Sequence, residues 1–139
     1  MSSSKCEQNN YSAGTNNLGK TNPFVIAKSI IQCVTSIREL CPHAEVLVIG
    51  ILPRTAKELS DHECTRQIKL INSTLKLKLT LICHYHEPNC QLRKHSSVNT
   101  FLYKNDNIHL NNEGYRKLLD DIRWFTNKNT QNTPTLMTS

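Results

Sequence analysis

Apolar residues recur along this chain in helical stripes and one unbroken run, with polar stretches between them. Ile26, Ile30, Val34, Ile37 and Cys41 fall at three- and four-residue intervals, the period of a helix that buries one face. Asn22 is placed to cap that helix, Pro23 suits its first position, and Pro42 blocks extension beyond about Leu40. Glu45-Val-Leu-Val-Ile-Gly-Ile-Leu52 is nearly continuous in apolar and β-branched residues, the pattern of a strand covered on both faces in a parallel sheet. Pro53-Arg54 ends it. Ser60-x-x-Glu63 forms a capping box for a second helix with Ile68, Ile71 and Leu75 on its inner face. Leu79 to Cys83 reads as a second, shorter strand. Residues 84–105, with Pro88, read as a long polar connection suited to functional loops. A last helix runs from Asn112 to Phe125 and turns Tyr115, Leu118, Leu119 and Ile122 towards a core. The order helix, strand, helix, strand, loop, helix is an α/β order, without internal repeats.

Composition changes this picture mainly at the ends and on the surface. The chain's 139 residues make at most one domain, and 37% hydrophobic content leaves room for polar tails. Residues 1–13 show no element, residues 14–125 hold the domain, and the Asn-, Thr- and Lys-rich tail of residues 126–139 is expected to be disordered. No apolar run has the length of a membrane span. The first residues lack the apolar core of a signal peptide, so the expected compartment is the cytoplasm. The net charge is +6. Its basic residues are mixed with Glu58, Asp61, Glu63 and Glu87 and lack interleaved aromatics, which indicates a solvated face rather than a nucleic-acid surface. The cysteines (6, 33, 41, 64, 83, 90) form no C-x-x-C pair, and without a secretion signal the default is reduced thiols. Cys83, His84, His86, Cys90 and His95 are zinc-ligand types, but they match no structural-zinc spacing, and no metal is expected. The sequons at Asn10 and Asn72 read as chance occurrences. Nothing in the pattern indicates an oligomeric state.

The candidate chemistry lies in Asn105-Asp-Asn-Ile-His-Leu-Asn-Asn-Glu-Gly-Tyr-Arg-Lys-Leu-Leu119. Asp106 stands three residues before His109, in the loop just ahead of the last helix, which Asn111 or Asn112 can cap. A carboxylate at that spacing can accept a bond from the imidazole, fix its tautomer and stabilise the imidazolium during proton transfer. The run Ile-His-Leu-Asn-x-x-Gly-Tyr resembles the last block of the SGNH (GDSL-type) hydrolases, where the Asp and His of a Ser-His-Asp triad share one short loop. Gly14-Thr15-Asn16-Asn17 is similar to the family's Gly-x-Asn-Asp block, in the form seen in platelet-activating-factor acetylhydrolase-like members. Val-Ile-Gly-Ile-Leu-Pro-Arg54 looks like the same branch. The resemblance covers about Gly14 to Trp124. It implies a three-layer α/β/α, flavodoxin-like fold with parallel strands, an oxyanion-hole donor at Asn16, a carboxylic-ester, acyl-lipid or acetyl-sugar substrate, and no metal or organic cofactor.

The departures from that family are as informative. There is no Gly-Asp-Ser, and Ser2, Ser3, Ser4 and Ser12 lack the strand–turn–helix setting of a nucleophile. The expectation is therefore the C-terminal part of an esterase domain, with its N-terminal strands and nucleophilic serine absent, and inactive alone. The alternative is a non-catalytic relic or binding module that uses its basic surface. A zinc module on Cys83, His84, His86 and Cys90 is a third reading.

Overall fold

A computed structural model of the chain describes residues 17–88, 91–94 and 97–131. Helix α1 spans Pro23–Leu40, strand β1 Leu47–Ile49, helix α2 Asp61–Leu79 and strand β2 His84–His86. Strands β3 (Arg93–Lys94) and β4 (Ser97–Val98), a 3-10 helix at Thr100–Leu102 and helix α3 (Asn112–Gln131) follow. Strands β1 and β2 pair in parallel, with Leu47 opposite His84 and Ile49 opposite His86. Helix α2 makes the crossover between them, as a parallel pair requires. Strands β3 and β4 form a separate small antiparallel ribbon.

Local signals placed the first two helices well. The Asn22 side chain accepts from the Phe24 N–H at 2.8 Å, with Pro23 in the first turn. The Ser60 hydroxyl accepts from the Glu63 N–H at 3.1 Å. Ile26, Ile30 and Val34 of α1 meet Ile68, Ile71 and Leu75 of α2 in the main core. Val46, Val48 and Tyr85 pack against that core from the sheet, while the neighbouring His86 stacks on Phe125 of α3 with ring centroids 4.2 Å apart. Successive strand residues point to opposite faces, so α1 and α2 cover one face of the pair and α3 the other. The result is a mixed α/β layering with parallel strands. Leu92, Val98, Leu102, Tyr103 and Leu110 form a second, smaller core beneath the α3 entrance.

Four expectations need correction. Leu79–Cys83 is not a strand: α2 continues through Leu79, which is fully buried, and the chain then turns through Ile82 and Cys83 N–H bonds to the Leu79 carbonyl. Ile68, Ile71, Leu75 and Leu79 continue one helical stripe, which a short apolar run cannot distinguish from a strand. The strand begins five residues after Leu79, at His84. Helix α3 persists to Gln131, so residues 126–131 are helical rather than part of a disordered tail. Its buried side is also rotated from the expected one. Of the four residues expected on its inner face, Leu118 and Ile122 are half-buried, whereas Tyr115 and Leu119 are about half exposed; Gly114, Asp121 and Phe125 complete the covered side. Finally, Cys41 is disulfide-bonded, whereas Cys33, Cys64 and Cys83 are free thiols. The expectation of reduced thiols throughout came from compartment, which does not decide which cysteines lie close enough to bond.

Candidate active site

The turn between the second core and α3 is closed by its own backbone. The Lys104 N–H donates to the His109 carbonyl at 2.8 Å and the Asn107 N–H to the Lys104 carbonyl at 3.0 Å. Asn107 adopts φ 56°, a left-handed conformation that asparagine tolerates better than most residues. At the base of the turn Tyr103 and Leu110 bridge antiparallel, both buried, and the Tyr103 hydroxyl donates to the Pro53 carbonyl. Asp106 and His109 therefore project from a short turn pinned at its base.

Within that turn Asp106 is fully engaged. Its Oδ1 accepts from the Ile108 and His109 N–H groups at 2.9 and 3.0 Å, and its Oδ2 lies 2.6 Å from His109 Nδ1. The bond to the His109 ring, followed by the two backbone N–H bonds, holds the Asp106 carboxyl well below the usual carboxylate range. An ionised carboxylate only accepts, so His109 Nδ1 must donate to it. In the neutral imidazole this arrangement puts the lone pair on Nε2. Nε2 has no partner among the described residues, and the side chain is 63% exposed. Asp106 and His109 thus form an oriented base unit facing outward.

Asn111, not Asn112, caps α3. Its Oδ1 accepts from the Gly114 N–H at 2.9 Å, while its Nδ2 donates to the Phe101 and Tyr103 carbonyls at 2.8 and 3.3 Å. One side chain so ties the helix start to the 3-10 helix that precedes the turn. Gly114 lets these two segments touch: a Cβ there would stand 2.2 Å from the Leu102 carbonyl oxygen and 3.0 Å from Leu110. The glycine in His-Leu-Asn-x-x-Gly-Tyr is there for close packing behind the dyad.

Thr55 joins the turn to the end of the sheet. Its N–H donates to the Asn107 carbonyl at 3.1 Å, and its hydroxyl reaches the Asp106 and Asn107 carbonyls at 3.4 and 3.3 Å. The loop that continues from Thr55 carries Glu58 and Leu59, which lie against Gly19 in a turn with φ 84°. Leu18, beside that glycine, is buried in the main core. The segment that follows Gly14-Thr15-Asn16-Asn17 and the Asp106–His109 turn therefore both attach to the loop after β1. Asn16 itself, the candidate oxyanion donor, lies outside the described residues.

Two arrangements were not anticipated. Asn72 is buried on α2 and grips the Ile51 backbone at both ends, with Oδ1 accepting from the N–H at 2.8 Å and Nδ2 donating to the carbonyl at 3.0 Å. It takes the place of a neighbouring strand for the residue just past β1. A polar residue in line with Ile68, Leu75 and Leu79 was the available signal. With both ends of the amide used, Asn72 is no glycan acceptor; the Asn10 sequon lies outside the described residues. The second arrangement is His86 Nε2 against Asp121 Oδ2 at 2.6 Å, with both side chains nearly buried. No sequence spacing announces a contact between β2 and the middle of α3. This pairing also engages one member of the zinc reading. Among the described residues no group of three or more His, Cys, Asp or Glu side chains could hold a metal ion, and Cys90 and His95 lie outside them. Burial raises the Cys64 and Cys83 thiols, keeping both protonated at neutral pH.

No family model and no curated protein matches this sequence. Solved structures do. One, described as a platelet activating factor protein from Streptococcus pneumonia, superposes with a TM-score of 0.63 at 17% identity over 80% of this chain and 55% of its own. Another, a GDSL-like lipase from Bacteroides thetaiotaomicron VPI-5482, gives 0.62 at 17% identity over 86% of this chain and 60% of its own. The chain has an SGNH-like fold. It spans little more than half the length of these two SGNH-like structures, and at such low identity the likeness concerns the fold alone. Among the described residues no helix is long and apolar enough to cross a membrane.

Proposed function

We propose that this chain carries the acid–base part of an SGNH-type ester hydrolase site, acting on carboxylic or acetyl esters. The observation that carries the reading is the Asp106–His109 pair, with Nδ1 held by an ionised carboxylate and Nε2 facing outward. In this reading His109 Nε2 takes the proton of a serine hydroxyl as that oxygen attacks the ester carbonyl. It then returns the proton to the departing alkoxide, and repeats the cycle with water to release the acid. Asp106 keeps the imidazole in its tautomer and stabilises the imidazolium. Asn16 is assigned the side-chain amide that stabilises the tetrahedral oxyanion. No organic cofactor or metal takes part. Because the sequence contains no Gly-Asp-Ser, the nucleophile is assigned to a segment outside residues 1–139, consistent with the share of the solved structures that the chain spans.

The test is complementation. A polypeptide supplying a strand that ends in Gly-Asp-Ser, fused upstream or added in trans, should give hydrolysis of p-nitrophenyl acetate. His109→Ala should then lower kcat by about a thousandfold or more. Undiminished turnover in that variant removes His109 from the mechanism. The absent Gly-Asp-Ser and the net charge of +6 also support a second reading, a non-catalytic binding module. It predicts association that weakens steeply with salt and is indifferent to His109.

A further inference from the structure

Cys41, buried at the end of α1, is disulfide-bonded, while Cys33, Cys64 and Cys83 carry free thiols. The chain's other cysteines are Cys6 and Cys90, and the fold tells the two apart. Helix α1 starts beside the loop that follows β1, where Glu58 and Leu59 lie against Gly19. It ends beside the residues that lead into β1, where Arg38 Nη1 donates to the Ala44 carbonyl at 3.2 Å. Cys41 is therefore at the entry end of the sheet. Cys90 belongs to the exit end. Glu87 lies against Gly50, and Leu92 is buried in the second core, against which Leu52 packs. From Val46 to Leu52 the chain rises about 20 Å. The two residues between Leu92 and Cys90 recover at most about 7 Å of that. A disulfide requires its Cα atoms within about 7 Å of each other, so Cys90 is out of reach of Cys41.

We propose that Cys41 is bonded to Cys6, and that this disulfide is a redox-operated strap holding residues 7–16 along the open edge of β1. Backbone parity marks that edge. The Val46 carbonyl accepts from the His84 N–H and the Gly50 N–H donates to the His86 carbonyl, both at 3.0 Å. The alternate residues, Leu47 and Ile49, turn their N–H and carbonyl groups the other way, where the described residues supply no strand. Crossover handedness names the same edge. Helices α1 and α2 cover one face of the sheet, and α2 carries the chain from β1 to β2. A further right-handed crossover through α1, on that same face, must arrive from the side of β1 opposite β2. Reach agrees with both. Asn17 sits at the head of α1, its carbonyl accepting from the Lys20 and Thr21 N–H groups at 2.9 Å. The 18 residues of α1 separate it from Cys41 by about 27 Å. The eleven residues back to Cys6 cover about 36 Å when extended but only about 17 Å as a helix. A bond to Cys41 therefore requires a near-extended path in the direction of β1, and that path delivers Asn16 to the loop after β1. Exchange with a dithiol opens the strap: the dithiol gives up two electrons and two protons, becomes a disulfide, and leaves Cys6 and Cys41 as thiols. The strap stands without the hydrolase reading above.

The test uses the full 139-residue chain, equilibrated in an oxidising glutathione buffer. Free thiols are blocked with N-ethylmaleimide and the unreduced chain is cut with trypsin. Residues 6–20 and 39–54 are expected as one linked species, with Cys83 and Cys90 both blocked in residues 79–93. A blocked Cys41, or its linkage to Cys90, overturns the assignment. Amide hydrogen exchange then reads the edge. Dithiothreitol should lower the protection of the Leu47 and Ile49 N–H groups about tenfold or more, while Val48 and Gly50, on the β2 side of the ladder, keep theirs. Cys6→Ser should show the same loss without reductant and no further change with it, and its retained protection at Val48 and Gly50 reports its folding. Unchanged exchange at Leu47 and Ile49, or an equal loss at all four amides, overturns the strap along β1. A disulfide that dithiothreitol leaves intact in the folded chain overturns its redox operation.

Discussion

Asn72 offers the sharpest test of how this fold is held. Strand β1 pairs with β2 only as far as Ile49, with Gly50 donating one further bond to the His86 carbonyl. At Ile51, itself buried, the backbone depends on the Asn72 amide for both its N–H and its carbonyl. Asn72→Ala leaves two polar groups unpaired inside the core, each at about 1–3 kcal/mol, or about 2–6 kcal/mol together. Alanine recovers roughly 0.6 kcal/mol of helix propensity and spares the desolvation of the amide. The expected loss is therefore about 2–4 kcal/mol. For a domain of this size, with a urea dependence near ~1.5 kcal/mol per molar, the unfolding midpoint should fall by about 1–3 M. Amide exchange adds a local readout, because the Ile51 N–H should lose protection before its neighbours in α2. A midpoint within about 0.3 M of the parent, with Ile51 still protected, would show that another group serves that backbone and that the clamp is misassigned.

Gly114→Ala should destabilise the chain despite gaining about 1 kcal/mol of helix propensity. The new Cβ meets the Leu102 carbonyl at 2.2 Å, and forced overpacking costs about 1–3 kcal/mol or more; denaturant unfolding that shows net stabilisation would contradict the close approach. The pH behaviour of Asp106 follows from its depressed folded-state value. Its bond to His109 contributes fully above the ordinary carboxylate range and is lost only as pH falls through the lower folded-state value. Carboxyl NMR should thus find Asp106 still ionised at a pH where exposed carboxylates are half protonated. His109→Ala should move that titration upwards, since the largest cause of the depression is gone. Glu63, brought down to about 2 by Arg66 and Gln67, should likewise titrate below the other helix carboxylates, and Arg66→Ala should raise it.

Much of the candidate site was legible before any coordinates because its geometry is local. Asp106 and His109 are three residues apart, so a tight turn suffices to join them, and Asn111 caps the helix that begins next to it. The same holds for α1 and α2, whose caps at Asn22 and Ser60 act within three residues of their targets. Where the reading went wrong, periodicity was ambiguous: Leu79 closes a helical stripe yet sits in a run that equally suits a strand. On α3, apolar content pointed to Tyr115 and Leu119 as well as Leu118 and Ile122. Gly114 admits the 3-10 helix so closely that Leu118 packs on the second core while Tyr115 and Leu119 stay half exposed.

By itself, then, the sequence determined the α/β order, the two capped helices and the aspartate–histidine turn, all of which arise from contacts between near neighbours. Tertiary structure alone decided that Asn72 serves Ile51, that His86 meets Asp121, and that Arg93 meets Thr65. These pairings join residues from 21 to 35 positions apart. Nothing in their spacing constrains them, because each depends on how sheet, helix and ribbon are stacked once the apolar stripes have found each other.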